Sequence, residues 1–293
     1  MRVMIFGAGY SGKAIGRLLH EQGASVAGTT RSPEKGKALA ETGIRPFVFD
    51  GLSLSEELSA ELSETTHLIQ SIAPGSAGDP LIRLCGAADI KALMPRLEWI
   101  GYLSTVGVYG DHQGAWVNEE TELKPVSVRS VERVEAEQAW QAVAARDDLP
   151  LSILRLSGIY GPGRNTFMNL AKGTARRLVK KDQVFNRIRV EDIASATTLL
   201  AGAKTAGIFN VTDDLPSPPQ DVVTEAARLM SVEAPPEQPF ETAELTPMAR
   251  SFYGENKRVS NAKIKSLGFS FQYPNYHVSL EDLLGSGTWN RKP

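Results

Sequence analysis

Gly7-Ala8-Gly9-Tyr10-Ser11-Gly12 is the first stretch of this 293-residue chain whose residue types and spacing suit a definite chemistry. Glycines spaced G-x-G-x-x-G let a chain turn tightly, let an anion reach bare backbone and let a helix pack close to a strand. Here Gly7 would make the turn, Gly9 would admit a pyrophosphate and Gly12 would close the helix onto the strand. With Tyr10 and Ser11 these residues form the expected cofactor cradle, the anion resting on exposed N–H groups at the helix's positive pole. The alternative is a plain strand–helix turn. The end of the next strand selects the nucleotide. An acidic residue roughly 20 residues on would hold a ribose 2′-OH. This chain has Thr29-Thr30-Arg31-Ser32 there, with Lys35 beyond and no carboxylate before Glu34. Arg31 can pair with a 2′-phosphate, so NADP(H) is expected over NAD(H); a solvated surface arginine is the competing reading.

The elements that must position this loop alternate short apolar strands with amphipathic stretches. Strands are expected at Arg2–Phe6, Ser25–Thr30, Pro46–Phe49, His67–Ser71, Trp99–Ser104 and Leu151–Leu156. Helices are expected at Gly12–Gln22, Pro33–Thr42, Leu54–Leu62, about Leu81–Leu97 and about Arg129–Arg146. Such alternation predicts an α/β fold, a doubly wound parallel (Rossmann) sheet. Residues 1–160 would form the dinucleotide-binding core. Residues 161–293 would supply mostly a small mixed α/β substrate lobe, with 190–212 returning to the sheet as helix Val190–Ala203 and strand Ile208–Val211. Past Asp213 prolines crowd in, and helices are expected near Gln220–Met230, Thr246–Phe252 and Leu280–Gly285.

Composition narrows the class. At 42% hydrophobic and 23% charged residues the chain reads as a soluble globular protein. A net charge of -2 gives no reason to expect nucleic acid. Cys85 is the only cysteine, which excludes an internal disulfide and a multi-thiolate metal site and fits a reducing compartment. The opening apolar run Val3–Phe6 is too short for a secretory core, and no stretch approaches the ~18 apolar residues of a membrane helix. A cytoplasmic protein with no membrane partner and no metal is expected.

With these residues in place the chain resembles the extended short-chain dehydrogenase/reductase family, whose members include nucleotide-sugar epimerases, dehydratases and reductases. Asp50-Gly51 resembles the acidic residue that contacts adenine, and Ser71-Ile72-Ala73-Pro74 sits where a fourth-strand loop, here Ser71 and Ala73, lines the cofactor. Ser104-Thr105-Val106-Gly107-Val108-Tyr109-Gly110 is similar to the family's S-S-x-x-V-Y-G. Arg155 to Gly163 is similar to R-x-x-N-x-Y-G-P-G, with Gly158 at the usual Asn, and Arg189 to Ala194 to H-V-x-D-x-A. The resemblance covers nearly the whole chain. The glycine spacing departs from the family's usual G-x-x-G-x-x-G. More seriously, aligning the long helix on Glu137 puts Arg129 and Arg133 where the family has the Tyr and Lys of Y-x-x-x-K. No Tyr occurs between Tyr109 and Tyr160, so the resemblance implies an atypical member without the standard proton donor.

Three residues are then candidates for the chemistry. Thr105 stands at the family's substrate-bonding hydroxyl, or is a strand-end hydroxyl bonded to backbone. Arg133 can bond a ribose and supply charge but not a proton; its competing role, like that of Arg129, is helix-surface pairing. Tyr109 is a substitute acid at the sheet's carboxyl edge, or a ring packed over the pocket. Between Lys172 and Arg189 lie seven basic residues against Asp182. Arg176, Arg177 and Arg187, joined by Arg164, are the expected contacts of a diphosphate-bearing small-molecule substrate, against the alternative of a solvated face. Two functions follow: an NADP(H)-dependent oxidoreductase or epimerase, or a non-catalytic NADP(H)-binding sensor or scaffold. Val131, Val134, Trp140 and Val143 form a stripe suited to a homodimer or to packing on the sheet.

Overall fold

The computed structural model describes residues 1–86 and 89–291, apart from the side chains of residues 247–249. Seven strands form one sheet in the order Gly207–Val211, Leu151–Leu156, Trp99–Thr105, His67–Gln70, Arg2–Phe6, Ser25–Thr30, Arg45–Val48. Counted along the chain this is 7-6-5-4-1-2-3, the doubly wound parallel arrangement. Val3 pairs with both Val26 and His67, so the first strand lies between the second and the fourth. Strand order reverses there, and the carboxyl ends of the first and fourth strands carry Gly7 and Ser71. Both faces are covered, which is why Leu151–Leu156 is buried at every residue rather than alternating.

The elements follow local chemistry. The first helix, Tyr10–Glu21, starts two residues earlier than its apolar pattern suggests, with Gly9 as N-cap. The single helix expected over Leu81–Leu97 is instead Pro80–Cys85 and Ile90–Leu93 in its described parts; residues 87–88 lie outside the described residues. Gly86, at φ 56°, ends the first piece, and the Asp89 carboxylate caps the second by accepting from the Lys91 N–H. No helix among the described residues is long and apolar enough to cross a membrane.

The chain divides into two compact units: 1–108, 128–155 and 193–209, and 109–127, 156–192 and 210–293. Relative to the expected 1–160 and 161–293, the segment 109–127 belongs with the second unit, because its strand Trp116–Val117 pairs with Arg258–Val259. The second unit is mixed α/β. Short parallel pairs join Gly158–Tyr160 to Arg187–Arg189 and Arg177–Val179 to Glu237–Pro239. Helices Thr166–Ala171, Pro219–Leu229 and Tyr276–Gly285 enclose a core of Phe167, Val222, Ala226, Tyr276, Leu280 and Leu283.

In the first unit the long helix Val128–Arg146 packs on the sheet through Trp140, which is fully buried, with Val143 against the same core. Val131 from the same stripe is exposed. One turn before Trp140, Glu137 is buried against Arg155 of the sixth strand at 2.7 Å and accepts from Ser104 Oγ at 2.5 Å. Both charged side chains are 3% exposed, so neither has water to replace a lost partner.

Two expectations follow. Arg155→Met strands a buried carboxylate and should cost about 3–5 kcal/mol in denaturant unfolding. Adding Glu137→Met should recover part of the loss. The second concerns His67, which packs on Trp99. Burial holds its imidazole below the ordinary histidine range, against the pull of Glu98. In the unfolded chain it titrates at about 6.5. Below that value the unfolded state takes up a proton that the fold resists, so stability falls as pH falls. His67→Gln should lose less melting temperature than the wild type between about pH 7 and about pH 5; equal losses would place the titration elsewhere.

Candidate functional site

The glycine loop is held by backbone and by one hydroxyl. Gly7 has φ 84°, a left-handed conformation that favours glycine, and its N–H donates to Thr29 Oγ1 at 2.9 Å. The Ala8 N–H donates to the Thr29 carbonyl and the Gly9 N–H to the Gly7 carbonyl. A Cβ on Gly7 would stand 2.8 Å from Ile72 Cγ1 and 3.0 Å from the Ile72 nitrogen. One on Gly12 would stand 2.9 Å from the Gly7 carbonyl oxygen and 3.2 Å from Ile5 Cγ2. At Gly9 a Cβ would meet nothing nearer than 4.0 Å, and the residue is exposed. Two glycines therefore permit close packing and the third borders open space. The helix that starts there has no side-chain cap and no acidic residue in its first turn. Backbone donors at a positive pole, with no competing carboxylate, suit an anionic ligand.

The surrounding side chains fit a nucleotide to different degrees. Arg31 is exposed at the end of the second strand and makes no hydrogen bond or ion pair among the described residues. Glu34, the one nearby carboxylate, takes its own backbone N–H and the Ser32 hydroxyl, which hold it below the usual carboxylate range. Asp50 is exposed and its Oδ1 accepts from the Leu52 N–H at 2.8 Å, closing a turn after the third strand. The Ser71 N–H donates to the Phe6 carbonyl, which brings the fourth strand's exit to the glycine loop, and Ala73 beyond it is exposed.

The candidates for chemistry separate. Thr105 is half-buried at the end of the fifth strand, and its Oγ1 accepts from the Gly107 N–H at 3.1 Å. Ser130 Oγ lies 3.0 Å from where a Gly107 Cβ would be, so a second hydroxyl, which the motifs do not single out, stands near it. Arg133 is half-buried, with Nη1 donating to the Leu103 carbonyl at 2.7 Å and to Tyr102 Oη at 3.2 Å. Its guanidinium sits 5.6 Å from the Tyr102 ring centroid. Burial pushes the Tyr102 hydroxyl up, with Arg133 opposing. Tyr109 is corrected by the structure: it is fully buried and its hydroxyl donates to Asn210 Oδ1 at 2.7 Å, which removes it as an acid for a substrate. Gln70 and Asp79, which no sequence motif marks, form a buried hydrogen-bonded pair beside this site. Asp before Pro80 signals a helix cap, but nothing local points to Gln70 as its partner.

The basic stretch is no single patch. Arg176 binds the Glu244 carbonyl and Gln238, and Arg177 binds the Pro235 carbonyl and Glu237, so both tie strands of the second unit together. Arg189 is buried against Glu191, Asp282 and Ser279. All bonds described for Arg187 run through Nη1, to Phe185 and Ser217. Burial pushes neighbouring Asp213 up to about 8, with the Leu215 N–H and Arg187 pulling it down. Arg164 is exposed.

Solved structures with the same fold include a functionally unknown conserved protein from Silicibacter pomeroyi DSS, 46% identical, with a TM-score of 0.89 over 97% of this chain and 98% of that one. The human epimerase family protein SDR39U1 (isoform 2), solved with NADPH, is 18% identical with a TM-score of 0.75 over 97% and 99%. A UDP-glucose 4-epimerase from Thermus thermophilus, solved with NAD, is 19% identical with a TM-score of 0.74 over 98% and 100%. At those identities the last two show the fold alone. A comparison with curated proteins gives no match. The model of the NAD dependent epimerase/dehydratase family matches residues 3–212, well over half the chain, and the chain belongs to that family.

Proposed function

We propose that the protein binds NADP(H) at Gly7–Gly12 and acts as an oxidoreductase or epimerase on a nucleotide-linked or phosphorylated small molecule. The uncapped start of the Tyr10–Glu21 helix behind exposed Gly9 carries this reading. Arg31, exposed and without an ionic partner among the described residues, favours a 2′-phosphate. NADPH in the human neighbour and NAD in the Thermus epimerase support a nicotinamide dinucleotide, and the latter's name supports a nucleotide-sugar substrate.

A nicotinamide supplies the hydride chemistry, and the chain's task is to hold and orient it. Asp50, Ser71 and Ala73 would border the nucleotide, with Tyr10 and Ser11 at the pyrophosphate. Arg133 would face the nicotinamide ribose as a fixed cation, its position set by the Leu103 carbonyl. Thr105 is the hydroxyl best placed to bond a substrate oxygen. With Tyr109 enclosed, the proton would come through Thr105 or water, and turnover would be slow. Arg164 and Arg187 would meet a diphosphate, Arg187 through the guanidinium nitrogens that its described bonds leave unused. Arg176 and Arg177 contribute positive charge to the same unit from bonded positions.

A second reading is a non-catalytic NADP(H) sensor or scaffold. Arg129 and Arg133 favour it, since they replace the family's Tyr and Lys and an arginine holds its proton at neutral pH.

Titration calorimetry should find NADPH binding tighter than NADH, and Arg31→Ala should remove about tenfold of that preference, the worth of one charge-assisted hydrogen bond. Tighter NADH binding would overturn the assignment. Gly12→Ala pushes a methyl toward the Gly7 carbonyl and should weaken both cofactors by about tenfold or more. A carbonyl and nucleotide-sugar screen separates the two readings. Turnover lowered by Thr105→Ala supports the enzyme; micromolar cofactor binding without turnover supports the sensor.

A further inference from the structure

Asp79 is 4% exposed and its carboxylate receives hydrogen bonds from three directions. Gln70 Nε2 donates to both of its oxygens at 2.8 Å. The Leu81 and Ile82 N–H groups donate to Oδ1 at 2.9 and 3.2 Å as the cap of the next helix. Trp140 Nε1 donates to Oδ2 at 3.1 Å from the long helix. Burial pushes the Asp79 carboxyl up, and the Trp140, Gln70, Ile82 and Leu81 donors pull it back toward the carboxylate, which only accepts, so Gln70 turns its nitrogen toward Asp79. That leaves Gln70 Oε1 facing the other way, where it accepts the Ile72 N–H at 3.3 Å. The Ile72 nitrogen is the atom that would stand 3.0 Å from a Cβ on Gly7. Trp140 lies two turns beyond Arg133 on the same helix.

We propose that Asp79 is a positioning residue for the cofactor crevice: through Gln70 it fixes the Ser71–Ile72 wall against the glycine loop, and through Trp140 it fixes the helix that carries Arg133. One buried carboxylate thereby sets the spacing of two walls of the crevice that opens where strand order reverses. The inference rests on that crevice being the dinucleotide site. Its physical content is the direction of hydrogen bonding along the chain Ile72 N–H, Gln70, Asp79. In Asp79→Asn the new amide opposes Gln70 Nε2. If Gln70 turns over to accept from it, the Ile72 N–H meets a donor instead of an acceptor. The wall loses its tether in either case, although an asparagine still caps a helix well. Gln70→Glu combined with Asp79→Asn reverses the polarity: the introduced carboxylate accepts from both the introduced amide and the Ile72 N–H, and the tether returns.

Hydrogen exchange of the Ile72 amide in the cofactor-free protein and NADPH affinity by calorimetry test this together. Asp79→Asn should speed that exchange about tenfold and weaken NADPH about tenfold, the scale of one lost hydrogen bond. The Gln70→Glu/Asp79→Asn pair should bring Ile72 exchange within about threefold of the wild type and recover NADPH affinity in part, because the introduced amide still turns a donor toward Trp140 Nε1. Gln70→Met removes the Ile72 acceptor and keeps the Asp79 cap and its Trp140 bond, so it should speed Ile72 exchange as Asp79→Asn does and weaken NADPH less; if Asp79→Asn does not fold, Trp140→Phe tests the other arm, and unchanged NADPH affinity in both variants would overturn the proposal. A lower melting temperature with unchanged Ile72 exchange and NADPH affinity would reduce Asp79 to a helix cap and overturn the proposal. So would a double variant whose Ile72 amide exchanges as fast as in the single one. A wild type that binds neither NADPH nor NADH would instead overturn the functional reading, and the proposal's link to the cofactor with it; the exchange data would still report whether the tether exists.

Discussion

Gly7 occupies a place where the first strand's exit and the fourth strand's exit meet with no room for a side chain. Ile72 presses on it from one direction, and the Thr29 hydroxyl holds its N–H from the second strand. The turn made there determines where Gly9 lies and where the Tyr10–Glu21 helix begins. That helix can approach the first strand because Gly12 offers no Cβ to the Gly7 carbonyl. The open space before Gly9 is thus a product of close packing on every other side of the loop. A parallel sheet makes this possible, since strand order reverses beside the first strand, the place where sheets of this kind take ligands at their carboxyl ends.

The polar groups buried near these ends fall into two kinds. Glu137, Arg155 and Ser104 satisfy one another inside the sheet–helix interface and hold the fold. The attraction between the two charges only offsets the cost of taking both out of water, so the pair is sensitive to loss of either member. Arg133 differs: it is half-buried, bonded through one nitrogen and placed at the strand ends. An arginine there supplies lasting positive charge and geometry, whereas proton transfer needs a group whose pKa lies near the working pH.

Elements with strong periodicity and clear punctuation are legible in the sequence. Arg2–Phe6, Ser25–Thr30 and Leu151–Leu156 have the bounds that their apolar runs imply. The stretch from Leu81 to Leu97 reads as one helix because its apolar spacing continues through Gly86, yet the left-handed conformation of Gly86 breaks it. Segment 109–127 reads as core from its place in the chain, and its pairing with Arg258–Val259 has no local signal.

What the sequence determined by itself was the glycine loop, the order of strands and helices, the carboxylate-free end of the second strand and the absence of any Tyr between Tyr109 and Tyr160. These depend on turn chemistry and on spacing within one or two turns of chain. The tertiary structure alone decided how the polar side chains are used. It enclosed Tyr109 against Asn210, drew Arg176 and Arg177 into strand-to-strand bonds, and joined Gln70, Asp79 and Trp140 in one network. A buried polar group must find a partner, and that partner is chosen by packing between segments far apart in sequence rather than by its neighbours along the chain.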